Sequence, residues 1–432
     1  GCLVAAAAAA PPAGEDVLAD VASSLAATFS VEHGRRLLLD VTEIAAADAG
    51  SGIQRVVREM VRHLAPRDDL GARVEPVRSV GGALLSARGY VSGVLGLADA
   101  PREDVPLSIG RDDVFVGLDV RLHEAADAIG AMRRVRMRGG KAVAVVYDLL
   151  PIRFPGFFPQ QVGELFPAWL GGMARAADGV VCISRAVADE LCDWLDANPP
   201  DRRAPLGVGF FHLGSDFDGA APAGPIPDGA GAAGALDAAA ARPTLLMVGT
   251  LEPRKGHGQA LAAMDALWAR GVDAGLVVAG RQGWLMEGLA SRIKAHPEFG
   301  RRLHWVEAPS DALLRALYAS AGALLMASEG EGFGLPIVEA ARAGLAVVAR
   351  DLPVFREVAG EHAVYFGGAA DDPSPLADAV AGWIGLREAG REPDSRLVRT
   401  LTWAESAAEF ADRVAKDEWY RSWSPPGHGR AG

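Results

Sequence analysis

Cysteine is scarce in this chain, with only Cys2, Cys182 and Cys192 among 432 residues. An odd, unpatterned set of thiols excludes a disulfide framework and a cysteine-built zinc site, and a reducing cytoplasm is the simpler setting. Long apolar runs are also missing. Half of the residues are hydrophobic, yet no run approaches the ~20 residues of a membrane-spanning helix. Positive charge is in deficit, with 43 Lys and Arg against 55 Asp and Glu and a net charge of −12. That balance argues against a dedicated nucleic-acid binder, which needs clustered cations to release counterions. No Asp-x-Asp pair stands beside a phosphate-binding stretch, so no resident metal is expected. The alanine-rich start, Val4–Ala10, lacks the basic flank of a signal peptide. The first residue is not methionine, as expected of a piece of a longer, multi-domain chain.

What is present is a globular composition long enough for two full cores. One stretch organises the rest: Ser328–Arg342, reading SEGEGFGLPIVEAAR. The uncharged run Ala323–Ala327 before it reads as a strand buried on both faces. Gly330, Gly332 and Gly334 allow a tight turn and close approach of backbone N–H groups to a ligand. Pro336 suits the first position of a helix, and Gly344 is placed to end it. A strand, a glycine turn and a helix start form an anion site. Glu331 and Glu339 flank it, and a carboxylate beside a phosphate makes sense only if it accepts from nearby hydroxyls. A diphosphate with hydroxyl-rich rings at either end meets that demand, which describes a nucleotide sugar.

A second phosphate device follows the strand Thr244–Val248, in Gly249-Thr250-Leu251-Glu252-Pro253-Arg254-Lys255-Gly256. Arg254 and Lys255 supply the charge that N–H groups alone cannot neutralise. Leu276–Gly280 is the next strand, leading into Arg281-Gln282-Gly283-Trp284; Leu303–Glu307, Ala346–Ala349 and Ala363–Phe366 are further strands, and Asp311–Tyr318 a helix. In the first half, Leu37–Val41, Asp113–Gly117, Ala142–Tyr147 and Gly179–Ile183 read as strands. Gly50-Ser51-Gly52 precedes an amphipathic helix over Ile53–Leu64, and Ser184 caps a helix over Arg185–Leu195. Asp148 ends a strand, where open α/β sheets place ligands, and reads equally well as a turn-forming or capping residue. The cations of Met132–Lys141 read as a solvated helix end, with contact to an anionic membrane surface as the second reading. Asp16–Phe29 has helical spacing, and Trp403–Trp423 reads as a long amphipathic helix. Ala220–Ala241, rich in Ala, Gly and Pro without periodicity, reads as a linker.

These motifs resemble those of the retaining GT-B glycosyltransferases of family GT4, closest to mannosyl- and rhamnosyltransferase-like members. EGFGLPIVEA matches their E-x7-E element, GTLEPRKG their phosphate-binding element, and YDLLPIRFPGFF a stretch in which the family has histidine where this chain has Tyr147. The resemblance implies two Rossmann-like, doubly wound parallel-sheet domains facing a cleft, with a last helix crossing back. The expected division is an extension over 1–34, an acceptor-side domain over 35–219, a linker over 220–242, a donor-nucleotide domain over 243–400 and a crossing helix with tail over 401–432.

By the same resemblance, Glu331 contacts the donor sugar and Glu339 the ribose. Gly249, Thr250, Gly332, Phe333, Gly334 and Leu335 line the donor site. Lys255 and Arg254 bind the diphosphate, although Thr250 stands where many members have arginine. Tyr147 and Asp148 reach the reaction centre, and Ser51, Gly52, Gln54 and Arg55 face the acceptor. The implied activity is metal-free transfer with retention, without a cofactor. The donor is a nucleotide sugar, first a GDP-linked mannose or related deoxyhexose. The acceptor is a saccharide or lipid-linked saccharide of a cell-surface polysaccharide, met in the cytoplasm at the inner membrane face. A sugar-nucleotide epimerase and a catalytically silent sugar-nucleotide-binding module of a larger polymerising protein are the alternatives.

Overall fold

The computed structural model describes residues 34–216 and 230–425. The helix expected over Asp16–Phe29 and the first part of the expected linker lie outside the described residues. The described residues divide into two compact units, those within 1–145 and 172–179, and those within 146–171 and 180–432.

In the first unit, β1 (Arg36–Asp40) is the centre, buried along its whole length. It pairs in parallel with β2 (Arg73–Val80) and β4 (Val114–Gly117), and β4 pairs in parallel with β5 (Lys141–Val146). β3 (Ala83–Ser86) returns antiparallel on β2, giving the order β5-β4-β1-β2-β3. The helices here are α1 (Thr42–Ala46), α2 (Gly52–Leu64), α3 (Arg88–Val94) and α4 (Ala125–Met137). The β2–β3 hairpin and α3 lie where no strand or helix was expected. The basic run falls on the end of α4, where Arg136 pairs with Asp178 at 3.0 Å.

The second unit begins with α5 (Leu150–Arg153), most of α6 (Gln160–Ala176) and of β6 (Gly179–Cys182), α7 (Arg185–Ala197) and β7 (Leu206–Phe210). Its main body alternates strand and helix: α8 (Ala230–Ala241), β8 (Thr244–Val248), α9 (His257–Ala269), β9 (Gly275–Ala279), α10 (Glu287–Lys294), β10 (Leu303–Val306), α11 (Asp311–Ser320), β11 (Ala323–Met326), α12 (Leu335–Ala343), β12 (Ala346–Arg350), α13 (Pro353–Ala359), β13 (Val364–Phe366) and α14 (Ser374–Glu388). All six strands run parallel in the order β10-β9-β8-β11-β12-β13. This is the doubly wound order, in which the winding reverses between the first and fourth strands and leaves a crevice at their carboxyl ends. Here the reversal lies between β8 and β11. The strands read as apolar runs because helices cover both faces, and Trp383 of α14 is wholly buried among them.

Three elements differ from the sequence reading. Ala230–Ala241, in the expected linker, is helical: alanine favours helix strongly, but an almost all-alanine segment has no amphipathic pattern to show. Phe210–Phe217 reads in sequence as a last strand and turn before the second domain, but the strand, β7, lies earlier and ends at Phe210. The last helix, α15 (Trp403–Lys416), stops where Asp417 turns left-handed at φ 54°, and β14 (Arg421–Trp423) then pairs antiparallel with β7. Trp419 lies flat over β7, where a Cβ at Gly207 would come within 2.4 Å of its ring. The C-terminal segment thus returns to β7 within the same unit. Ser406 Oγ donates to the His212 carbonyl at 2.7 Å, and Phe410 meets Phe211 with ring centroids 5.1 Å apart.

A capping box starts α15. Glu405 N–H donates to Thr402 Oγ1, and the Glu405 carboxylate accepts from Thr402 N–H at 2.7 Å. Thr402→Ala is expected to lower unfolding free energy by about 0.5–2 kcal/mol, read as a lower urea midpoint with unchanged slope.

Candidate active site

The loops after β8 and β11 meet at the winding reversal, backbone against backbone. Gly256 adopts φ +72°, and a Cβ there would sit 2.3 Å from the Ala327 carbonyl oxygen. The Glu329 N–H donates to the Arg254 carbonyl at 2.8 Å. Only glycine fits such an approach, and it brings the cations of one loop to the carboxylate of the other.

Glu331 is held on both oxygens. Lys255 Nζ lies 2.6 Å from its Oε1, which also accepts from Ser328 Oγ at 2.8 Å, and Arg254 Nη1 lies 3.0 Å from its Oε2. Burial pushes the Glu331 carboxyl up, but Arg254 and Lys255 outweigh it and hold its pKa at about 2. Arg254 also pairs with Glu252 at 3.0 Å and donates to the Gly330 carbonyl at 3.3 Å. Burial alone would lower the Arg254 pKa; Glu331, Glu252 and Asp148 raise it instead. His257 opens α9 directly after that loop, and burial, with Lys255 beside it, lowers its pKa to about 3, so the ring is neutral at ordinary pH.

The glycine turn is held from a second side. A Cβ at Gly332 would lie 2.1 Å from the Tyr147 carbonyl oxygen, and the Gly332 carbonyl accepts from Ser184 Oγ at 2.7 Å. A Cβ at Gly330 would lie 2.5 Å from a Leu150 methyl. Tyr147 therefore meets the turn through its backbone. Asp148 accepts from the Leu150 N–H at 3.0 Å, the turn-forming role, and lost hydration raises its pKa against the pull of Arg254. Phe333 is buried, its ring centroid 5.5 Å from that of His212. Gly334 takes φ +99° at the start of α12, whose first residue is Leu335, so Pro336 stands second rather than first.

Other candidates lie outside the ion cluster. Glu339, 2% exposed, accepts from the Tyr318 hydroxyl at 2.6 Å. Gly249 follows β8 at φ +129°, its N–H bonded to the Ala279 carbonyl at 3.0 Å. Half-buried Thr250 packs its methyl toward Gly283. In the first unit, Ser51 and Gln54 form the capping box of α2, and Gln54 Nε2 donates to the Ala47 carbonyl at 2.7 Å. Gly52 opens that helix and Arg55 lies in its first turn. Nothing near it in sequence marks Glu357, which accepts from the N–H groups of Arg185 and Ala186 at 2.7 and 2.8 Å and meets His212 Nε2 at 2.7 Å. Among the described residues no group of three or more His, Cys, Asp or Glu could hold a metal ion, and no helix is long and apolar enough to cross a membrane.

Residues 235–394, which contain both loops, match the sequence profile of the glycosyl transferases group 1. The chain is 40% identical over 381 residues to the serotype-specific mannosyltransferase WbdA of Escherichia coli, an alignment covering 87% of this chain and 44% of that protein. The chain therefore spans less than half the length of this relative. It is also 32% identical over 176 residues to the phosphatidyl-myo-inositol mannosyltransferase of Mycobacterium tuberculosis, covering 39% of this chain and 45% of that one. Among solved structures, Anabaena Alr3699/HepE in complex with UDP and glucose is similar with a TM-score of 0.54 at 14% identity, covering 89% of this chain and 98% of that one. That likeness shows the GT-B fold.

The ion cluster makes a pH prediction. Glu331 titrates near 2 when folded, against an ordinary 4.5, so the unfolded chain takes up its proton first as pH falls. The stabilisation is fully present above about pH 4.5 and lost between there and pH 2, about 3 kcal/mol in all. Urea unfolding across that window should show this loss in the wild type, and Glu331→Gln should lack it.

Proposed function

We propose that this chain transfers mannose or a related deoxyhexose from a GDP-linked donor to a saccharide or lipid-linked saccharide acceptor in cell-surface polysaccharide synthesis. The reaction would retain anomeric configuration without a metal, at the cytoplasmic side of the membrane. The observation that carries this reading is the Arg254–Lys255–Glu331 cluster at the winding reversal, beside the start of α12. The mannosyltransferase relatives support the sugar. In this reading, Arg254 and Lys255 stabilise the charge that grows on the leaving diphosphate. Glu331 keeps both cations in place beforehand and turns its remaining lone pairs to donor hydroxyls. The bond between the anomeric carbon and the phosphate oxygen breaks, its electron pair leaving with the nucleoside diphosphate. The acceptor oxygen bonds to the same face of that carbon, and its proton passes to the leaving phosphate oxygen. Glu339 and Tyr318 would serve the ribose, Gly249, Thr250 and Gly332–Leu335 the remaining donor contacts, and the start of α2 (Ser51, Gly52, Gln54, Arg55) the acceptor.

Lys255→Ala and Arg254→Ala are each expected to cut transfer from GDP-mannose by a factor on the order of 10²–10³, the scale of one lost transition-state contact. Near-normal turnover in both variants removes the phosphate clamp from the reading.

Exhaustive chelation should leave turnover unchanged. Activity abolished by EDTA and restored by Mg²⁺ or Mn²⁺ would refute the metal-free part.

A further inference from the structure

A group of partly exposed aromatic rings adjoins both loops of the site, and no step of the transfer uses it. Phe154, Phe157, Phe158 and Trp284 are each only half-buried. Phe154 and Phe157 stack with centroids 5.5 Å apart and planes 16° from parallel. Phe158 and Trp284 lie 6.1 Å apart. The Trp284 indole N–H donates to the Phe157 carbonyl at 2.7 Å, so the ring's polar end is satisfied by the segment of the first pair while the ring stays only half-buried. Leu285, 61% exposed and left-handed at φ 59°, follows it.

These rings are continuous with the transfer site on two sides. A Cβ at Gly330, the residue before Glu331, would lie 3.0 Å from the Phe154 ring. A Cβ at Gly283, beside Trp284, would lie 2.9 Å from the Thr250 methyl and 2.8 Å from the Leu251 carbonyl oxygen, on the loop that carries Arg254 and Lys255. Rings fixed by a backbone hydrogen bond and by stacking offer contact area at little cost in ordering. Half-exposed flat faces of this kind suit the apolar C–H face of a sugar ring, while its hydroxyls stay in water or reach the polar fringe. Arg153, 5.3 Å over the Phe154 ring and paired with Glu190, is part of that fringe. An anionic bilayer is the poorer occupant, because the chain carries a net charge of −12.

We propose that Phe154, Phe157, Phe158 and Trp284 form a saccharide-binding platform that takes sugar units of the acceptor chain next to the transfer site. The choice of acceptor rests on the transferase reading, whereas saccharide binding can be measured without any transfer.

The test uses the full chain and α-linked manno-oligosaccharides from mono- to pentasaccharide, titrated calorimetrically without donor, with GDP titrated separately. In the wild type, affinity should rise with saccharide length. Trp284→Ala and Phe158→Ala should each weaken tetrasaccharide binding about tenfold, the upper range of one aromatic contact, with GDP affinity unchanged. Trp284→Phe keeps a ring without the indole hydrogen bond and should retain most of the affinity, which separates a lost platform from a lost fold. A wild type that binds none of the oligosaccharides overturns the platform, as do alanine variants that bind them normally. A fall in GDP affinity with saccharide binding intact would give the rings to the nucleotide base and likewise overturn it. So would variants that bind saccharide normally but no longer bind phosphatidylglycerol vesicles. Normal saccharide binding by a wild type that transfers to no acceptor would sink the transferase reading and leave the platform standing.

Discussion

A carboxylate buried between two cations is the interaction on which the second unit's loops depend. Glu331 alone in that position would be driven toward its neutral form by lost hydration, and Arg254 alone would be equally costly. Together with Ser328 and with Lys255, 76 residues away from Glu331 in sequence, they satisfy one another. The arrangement is possible only because β8 and β11 are neighbours at the winding reversal. It also means that the two cations are positioned before any ligand arrives. A group that must stabilise developing negative charge gains most when no reorganisation is needed at the moment of reaction.

The surrounding glycines keep that geometry narrow. Gly256 against Ala327, and Gly332 against Tyr147, leave no room for a Cβ. The carbonyl of Gly332 is fixed by Ser184, whose Oγ also accepts from the Val187 N–H to cap α7. One hydroxyl therefore ties a helix start to the turn carrying Glu331, so a shift of α7 would be felt at the ion cluster.

The parts of the fold that were legible in sequence are those encoded locally. The uncharged runs of β8, β9 and β11, the glycines after them and the cap at Ser184 all announce themselves within a few residues. What was not legible depends on distance. Glu357 reaches the start of α7 from 172 residues away, and nothing around it marks that role. The ion pairs of Glu331 were equally hidden, although each partner had been singled out by itself. Trp419 and Trp423 extended the apparent helix because apolar residues at plausible spacing fit either element; Asp417 and the glycines of β7 decide for a turn and a strand. The alanines of α8 failed in the opposite way, having strong propensity but no periodicity. Ser51 and Gln54 were marked as acceptor-side residues, and their capping box shows a structural reason for the same pair of residue types.

The two helix starts tied to the glycine turn, α7 through Ser184 and α12 through Gly334, differ in how their N–H groups are satisfied. At α7, Ser184 accepts from Val187, and Glu357 accepts from Arg185 and Ala186, so a carboxylate of the protein already occupies the positive end. At α12 no side chain caps the start: Gly334 has none, and Pro336 removes one donor outright. Of the two, α12 is thus the helix whose dipole and orphan N–H groups have been left to something other than the protein's own acids. Arg254 and Lys255 are tied by Glu331 to the turn that leads into that start. An anion at α12 finds no side chain of the protein on the helix start, whereas at α7 it would have to displace Glu357. This asymmetry supports the phosphate at α12, and it assigns Glu357 to holding α7 in place.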